Sequence, residues 1–381
     1  MLTLEPPIVF YHLSGGLSML IGKNRSSILL APSEIGPIMF SVLDEASSQI
    51  LLDDQKPLRI LGITYFGTAE EMNVAIMPNF HAFSTDSRER YLADSQFHLW
   101  SGIGIALSRR HRNGDAILAN RIRQQIHVCA SRLERLLAAY RSTIARASPY
   151  DLERKAFTSD AYAHYLGTEY RALINELYSL RDALLMATFR LFFRRSDPFS
   201  MSKIKSSVLS DNSNTSNIIA SSMFEGGDLL IDRMSLYRSI ALHCLGATNP
   251  IINDVYRFYE SGGSYGKVQY LVYPLYDDVA RMRRIERGSS KGLFETTDEA
   301  ELRRFFELPS HQDALEFCFD CFNRLLKISE ALATDIGISP EIIQIKEEEI
   351  LELKITENGI TRSYERDPAT RELKETGRSR G

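Results

Sequence analysis

The run ILANRIRQQIHVCASRLERLLAAYR, residues 117–141, decides the class of this chain. Ile117, Ile122, Ile126, Leu133, Leu136, Leu137 and Tyr140 recur near the helical period of 3.6 residues, so they share one apolar face of a long helix. Arg121, Arg123, Arg132, Arg135 and Arg141 occupy the rest of its surface. No proline stands between Pro78 and Pro149 to interrupt it. A second run, from about 161 to 195, repeats the pattern with Tyr170, Leu173, Leu177, Leu180, Leu184, Ala187 and Leu191. Glu176, Arg181 and Asp182 sit on or beside its stripe, as local ion pairs or as groups that orient a neighbouring helix. The arginine face of the first helix has two readings. One is a solvated surface with pairs such as Arg132 or Arg135 to Glu134; the other is a phosphate-contacting surface of Arg121, Arg123, Arg132 and Arg135.

Working outward, residues 1–90 read as a small β or α/β domain. Ile8–Leu13, Ser27–Leu30, Ile38–Leu43, Leu58–Phe66 and Asn73–Met77 are rich in β-branched and aromatic residues and are bounded by glycine and proline. Gly15-Gly16 marks a turn, because no P-loop lysine or third fingerprint glycine follows it. His12 and His81 lack partners at metal-ligand spacing and are expected on the surface or in packing. Residues 91–290 form an antiparallel helical bundle, interrupted by a Ser/Asn-rich segment at 196–227 that reads as a surface loop or lid. A helix follows from Asp228 to Gly246 and another from about Tyr265 to Arg287. Residues 291–381 form a C-terminal module: a helical stripe from Ala314 to Leu332, then a hairpin turning at Asn358-Gly359, then a frayed charged end from Arg366.

Composition bounds the function. With 381 residues, 44% hydrophobic and 25% charged, the chain has material for real cores. Its net charge of −4 means that contact with nucleic acid must come from a local basic patch. No apolar run approaches the roughly 20 residues of a bilayer span, no secretory leader is recognisable, and four cysteines make no disulfide framework. A cytoplasmic protein without membrane contact is expected. Cys318 and Cys321 lie on the apolar stripe and lack two further zinc ligands, so neither a metal nor a cofactor is expected.

Within LYRSIALHCLG, residues 236–246, one arginine and one histidine interrupt an apolar helical run. Such residues are costly in a packed helix unless they are paired or do chemistry. The Arg238-x4-His243 spacing resembles the signature of the HEPN superfamily, helical bundles that include metal-independent ribonucleases. Ser239 stands where that pattern has a small polar residue. Arg121/His127 and Arg304/His311 share a similar spacing, but the first lies on an earlier helix and Pro309 interrupts the second.

The resemblance, confined to residues 91–290, implies a HEPN-like bundle acting as an endoribonuclease of toxin or antiviral-defence systems. It implies His243 as acid/base, Arg238 on the scissile phosphate, and Ser239, Glu176 and Arg181 as supporting polar groups. It also implies a homodimer, with RNA as substrate and a protein partner such as an antitoxin. Five positions along a helix turn two side chains about 140° apart, which pairing across a two-fold axis relieves. The competing reading is a non-catalytic HEPN-like scaffold that binds a protein or nucleic acid, with Arg238 paired to Glu225 or Asp232 and His243 capping its helix.

Overall fold

The computed structural model describes residues 8–21, 27–31, 38–43, 51–52, 56–57, 59–66, 81–82, 93–147, 158, 160–196, 199–224, 230–243, 256–263, 266–275, 312–341, 352–357, 360–366 and 373–380. Helix dominates, with a smaller antiparallel sheet at the N-terminal end. The expected strand Asn73–Met77 and the stretches 276–311 and 244–255 lie outside the described residues.

Strands β1 (Ile8–Leu13), β2 (Ser18–Ile21), β3 (Ser27–Ala31) and β4 (Ile38–Leu43) make an antiparallel meander. After the short pair β5 (Leu51–Leu52) and β6 (Lys56–Pro57), β7 (Ile60–Phe66) returns to pair with β1, and β8 (His81–Ala82) adds to β7. The sheet order is β4-β3-β2-β1-β7-β8. Gly15 and Gly16 form the β1–β2 turn with φ of 67° and 81°, the left-handed region where a Cβ is disfavoured.

The helical layer begins with α1 (Ala93–Arg109) and α2 (Asn113–Arg146), joined by a turn at Arg110–Arg112. Helix α2 has 34 residues and is about 51 Å long at 1.5 Å per residue. Helix α3 (Ala161–Ala187) is capped by Asp160, whose Oδ1 accepts from the amides of Tyr162 and Ala163 at 2.9 Å each, and it ends in a π-turn, Thr188–Phe192. Helices α4 (Met201–Ser210), α5 (Asn214–Ile219) and α6 (Leu230–His243) follow. A hairpin of β9 (Arg257–Gly263) and β10 (Gly266–Val272) precedes β11 (Pro274–Leu275), which pairs with β12 (Gln312–Asp313) at the start of α7 (Ala314–Asp335). Strands β13 (Glu352–Glu357), β14 (Ile360–Arg366) and β15 (Leu373–Arg380) make the last sheet.

Helix α7 packs on α1, α2 and α3, and α6 packs on α3. One core therefore runs through Leu61, Trp100, Tyr140, Phe189, Phe317, Phe319 and Phe322. Within it the Trp100 indole donates to Ser329 Oγ at 2.7 Å, and Ser329 donates to Gln96 Oε1 at 2.9 Å, a relay that pairs three of the polar side chains that α1 and α7 bury.

Four sequence expectations are corrected. The segment 196–227 is neither a loop nor a lid over its described part: it folds as α4, α5 and a second π-turn at Ala220–Phe224. Its serines act as helix caps, Ser200 Oγ accepting from the Lys203 amide at 3.2 Å and Ser213 Oγ from the Ser216 amide at 3.1 Å, while Ile204, Val208 and Ile219 are buried. The helix expected from Tyr265 is the β9–β10 hairpin as far as Val272, because Val268, Tyr270 and Val272 also alternate at period two. The charged end is not frayed: β15 pairs with β14 along its length. Ile117, placed on the core stripe of α2, is 70% exposed. The Asn358-Gly359 hairpin stands, since Glu357 faces Ile360 across the two-residue connection.

Two arginines fasten the sheet to the helices. Arg59 Nη1 and Nη2 donate to the Asp320 carboxylate of α7 at 2.9 and 2.6 Å. Arg141 of α2 donates through Nη2 to His12 Nδ1 and to Ser18 Oγ, both at 2.7 Å. A guanidinium only donates, so His12 Nδ1 carries the lone pair and the ring is neutral. Burial, and then the Arg141 charge, push the His12 pKa from 6.5 down to about 2. The unfolded chain accordingly takes up a proton that the folded chain excludes: this contribution is complete above pH 6.5 and is lost as the pH falls toward 2. Between roughly pH 7.5 and pH 5 the loss is expected to reach about 2 kcal/mol. Urea unfolding across that range measures it, and His12→Gln, which keeps an acceptor for Arg141, should flatten the dependence.

Candidate functional site

Helix α3 presents Asn175, Tyr178, Arg181 and Asp182 at helical spacing, and α6 presents Ser235 and Arg238 one turn apart. Where the two helices pack, these residues meet. The Arg181 guanidinium lies 3.7 Å from the centre of the Tyr178 ring and the Arg238 guanidinium 4.2 Å from it. Two cations thus share one aromatic ring, whose π-electrons offset part of the repulsion between them.

The two arginines are held differently. Arg181 is 8% exposed. It donates through Nη1 to Ser235 Oγ at 2.6 Å, and through Nε and Nη2 to Asp182 Oδ1 at 3.1 and 2.7 Å. The Ser235 hydroxyl donates in turn to the carbonyl of Ile231 at 3.0 Å. Arg238 is half-buried, and its one hydrogen bond to a described residue, Nε to Asn175 Oδ1, is long at 3.4 Å. Among the described residues no carboxylate pairs with Arg238, and no acceptor meets either Nη. Arg181 is a fixed strut, whereas Arg238 is a stacked guanidinium with its outer nitrogens unused.

Of the supporting residues read from the sequence, Arg181 joins this cluster and Glu176 does not. Glu176 faces α2, where its carboxylate and its carbonyl both accept from Gln125 Nε2, at 2.5 and 3.1 Å. Ser239 follows Arg238 on α6, half-buried and without a side-chain hydrogen bond to a described residue. His243 is the last residue of α6; its side chain lies outside the described residues, as does Glu225. Asn175, Tyr178 and Ser235 were missed. Only the Asn175-x2-Tyr178-x2-Arg181 spacing on α3 could have marked the first two.

The four arginines proposed as an RNA surface do not act alike. Arg132 pairs with Glu169 of α3 at 3.5 Å, and Arg123 covers the Phe97 ring at 5.1 Å. Arg121 and Arg135 are exposed, but about 21 Å apart along α2 at 1.5 Å per residue. Cys318 and Cys321 are both fully buried in the core, and burial raises the Cys318 thiol well above its usual range, the mark of an inert packing residue. Among the described residues no group of three metal-ligating side chains assembles, and no helix is long and apolar enough to cross a membrane.

Comparison of the chain with protein-family models, with curated proteins and with solved structures returned no match.

Proposed function

We propose that this chain is a metal-independent endoribonuclease built on a HEPN-like bundle, with Arg238 binding the scissile phosphate and His243 moving the proton. The observation that carries the reading is the state of Arg238: a guanidinium stacked on Tyr178, uncompensated by any described carboxylate, with both Nη groups available. An anion with two oxygens in a plane fits that fork.

In the proposed reaction a base takes the proton of the ribose 2′-hydroxyl, and the 2′-oxygen attacks phosphorus. The P–O5′ bond breaks, and an acid protonates the departing 5′-oxygen. The products are a 2′,3′-cyclic phosphate and a 5′-hydroxyl. Arg238 offsets the charge that builds on the non-bridging oxygens, and a histidine serves as base or acid. One chain supplies one histidine at this position, so a homodimer joined through α6 would bring a second. Cys129, Cys318 and Cys321 are buried thiols outside any disulfide, which suits a reducing cytoplasm. Toxin or defence biology, with an antitoxin-like protein partner, accompanies this proposal.

Arg181 favours the second reading, a non-catalytic scaffold, because its hydrogen bond to Ser235 already joins α3 to α6. RNA cleavage in EDTA by the wild type, Arg238→Ala and His243→Ala separates the two. Each substitution is expected to lower cleavage by about 10²–10³-fold, while thermal melts show both variants folded. A wild type that leaves RNA intact, with variants that only melt earlier, would assign the pair to structure and the protein to partner binding.

A further inference from the structure

On another part of α3, four helix ends converge: the C-terminus of α1, the N-terminus of α2, the π-turn that closes α3 and the C-terminal cap of α7. They enclose a cleft of about 430 Å³ lined by Arg110, Arg112, Asp115, Arg190, Arg194 and Arg195, with Ile336–Ile338 as its floor. We infer that this cleft is a binding site for a compact oligophosphate, a group carrying at least two adjacent phosphates. The inference is independent of the ribonuclease reading.

Charge carries the argument. Among the described lining residues five guanidiniums face one carboxylate, Asp115, which already pairs with Arg112 at 2.7 Å and with Arg190 at 3.2 Å. Four positive charges remain. Arginines often sit at helix C-termini for the sake of the dipole, and three C-termini meet here. Each contributes about half a negative charge and the α2 N-terminus about half a positive one, so the dipoles offset only about one unit. Arg110 and Arg194 pair with no described carboxylate or ring, and Arg195 meets the face of Phe189, 5.9 Å from the ring centre, but no described carboxylate. The uncompensated charge matches a di- or triphosphate.

Backbone geometry points the same way. His111 and Arg194 are the two non-glycine residues with left-handed φ among the described residues, at 59° and 53°. Arg194 lines the cleft, and His111 is the central residue of the Arg110–Arg112 turn at its rim. Strained positions of this kind persist where the surroundings impose them, and they gather at binding sites. Among the described residues no aromatic side chain lines the cleft, so none of them offers a platform on which a base could stack. Convergence from four helix ends suits a compact terminal group better than a strand that passes through.

Calorimetric titration of the full chain with inorganic tripolyphosphate, in EDTA, tests the inference. Saturable binding is expected, weakened about tenfold or more in each of Arg194→Gly and Arg110→Ala, and unchanged in Arg135→Ala, a control for bulk charge. Arg194→Gly suits the purpose because glycine relaxes the left-handed backbone, so the variant should melt no earlier than wild type. Tighter binding of ATP or GTP than of tripolyphosphate would identify a nucleotide as the source; equal binding would identify the phosphate chain alone. The proposal is overturned if wild type shows no saturable binding, if Arg135→Ala weakens it as much, or if a 5′-hydroxyl oligoribonucleotide binds through Arg194 while tripolyphosphate neither binds nor competes.

Discussion

Replacing Asp313 by alanine is expected to destabilise the fold by about 3–5 kcal/mol, since it strips the acceptor from three buried donors at once. Asp313 is 1% exposed and stands at the N-terminus of α7. Its Oδ1 accepts from the Tyr140 hydroxyl of α2 at 2.7 Å and from the Tyr273 amide, beside β11, at 2.9 Å. Its Oδ2 accepts from the Glu316 amide at 3.3 Å and so caps α7. Tyr140 in turn accepts from the Leu315 amide at 3.3 Å, and burial, with the Asp313 charge behind it, holds its phenol well above the usual range and fully protonated. One carboxylate therefore joins α2, α7 and the β11–β12 ladder. Tyr140→Phe should cost about 1–3 kcal/mol, and the double variant less than the sum, because each substitution removes the same bond. Urea unfolding of the four proteins measures this cycle; an Asp313→Ala loss below about 1 kcal/mol would show that water replaces the carboxylate and that the hub is not structural.

Gly16→Ala is expected to cost about 2–4 kcal/mol, from two sources that add. The residue holds φ at 81°, where a Cβ meets its own backbone. That Cβ would also lie 2.7 Å from Ile144 Cδ1 and 3.1 Å from Tyr140 Cβ, both on α2. The isoleucine tip can shift by a few tenths of an ångström; the tyrosine Cβ is fixed to the helix backbone. The β1–β2 turn is thus seated against α2, and a methyl group would lift it. A midpoint of denaturation unchanged by Gly16→Ala would contradict this packing. The same substitution at exposed Gly337, also left-handed at φ 67° but with nothing within 4 Å of a Cβ, isolates the backbone share.

How far the sequence reaches is clearest at these same places. Helices α2 and α3 were legible because each buries one face along most of its length, so the period survives in the residues. Strands β1 and β4 were legible because glycine and proline punctuate them. The β9–β10 hairpin was not, since Val268, Leu271, Val272 and Leu275 satisfy a helical spacing while Val268, Tyr270 and Val272 satisfy an extended one, and only tertiary pairing decides between them. Serine-rich 196–227 misled for a related reason: a hydroxyl that favours a loop also caps a helix, and Ser200 and Ser213 do the latter. Arg238 stood out against its apolar neighbours, but Asn175 and Tyr178, which hold it, come from another helix about 60 positions earlier, and their spacing on α3 does not tell which helix they face. The arginines of the cleft read as ordinary helix ends until four such ends meet.

A π-turn holds one residue more than the α-turn it replaces, and each residue of a helix advances the chain by about 100°. At the end of α3 the Phe193 amide reaches back to the Thr188 carbonyl at 3.0 Å across that extra residue. Loss of one codon within 188–192 would restore the α-turn, leave residues 161–187 undisturbed and keep the chain beyond Phe193 close to its present facing, because the π-turn already absorbs the extra residue. The arginine cleft is therefore buffered against loss of one residue within that turn, whereas the same loss within 161–187 would rotate the turn and its arginines by about 100° against the bundle.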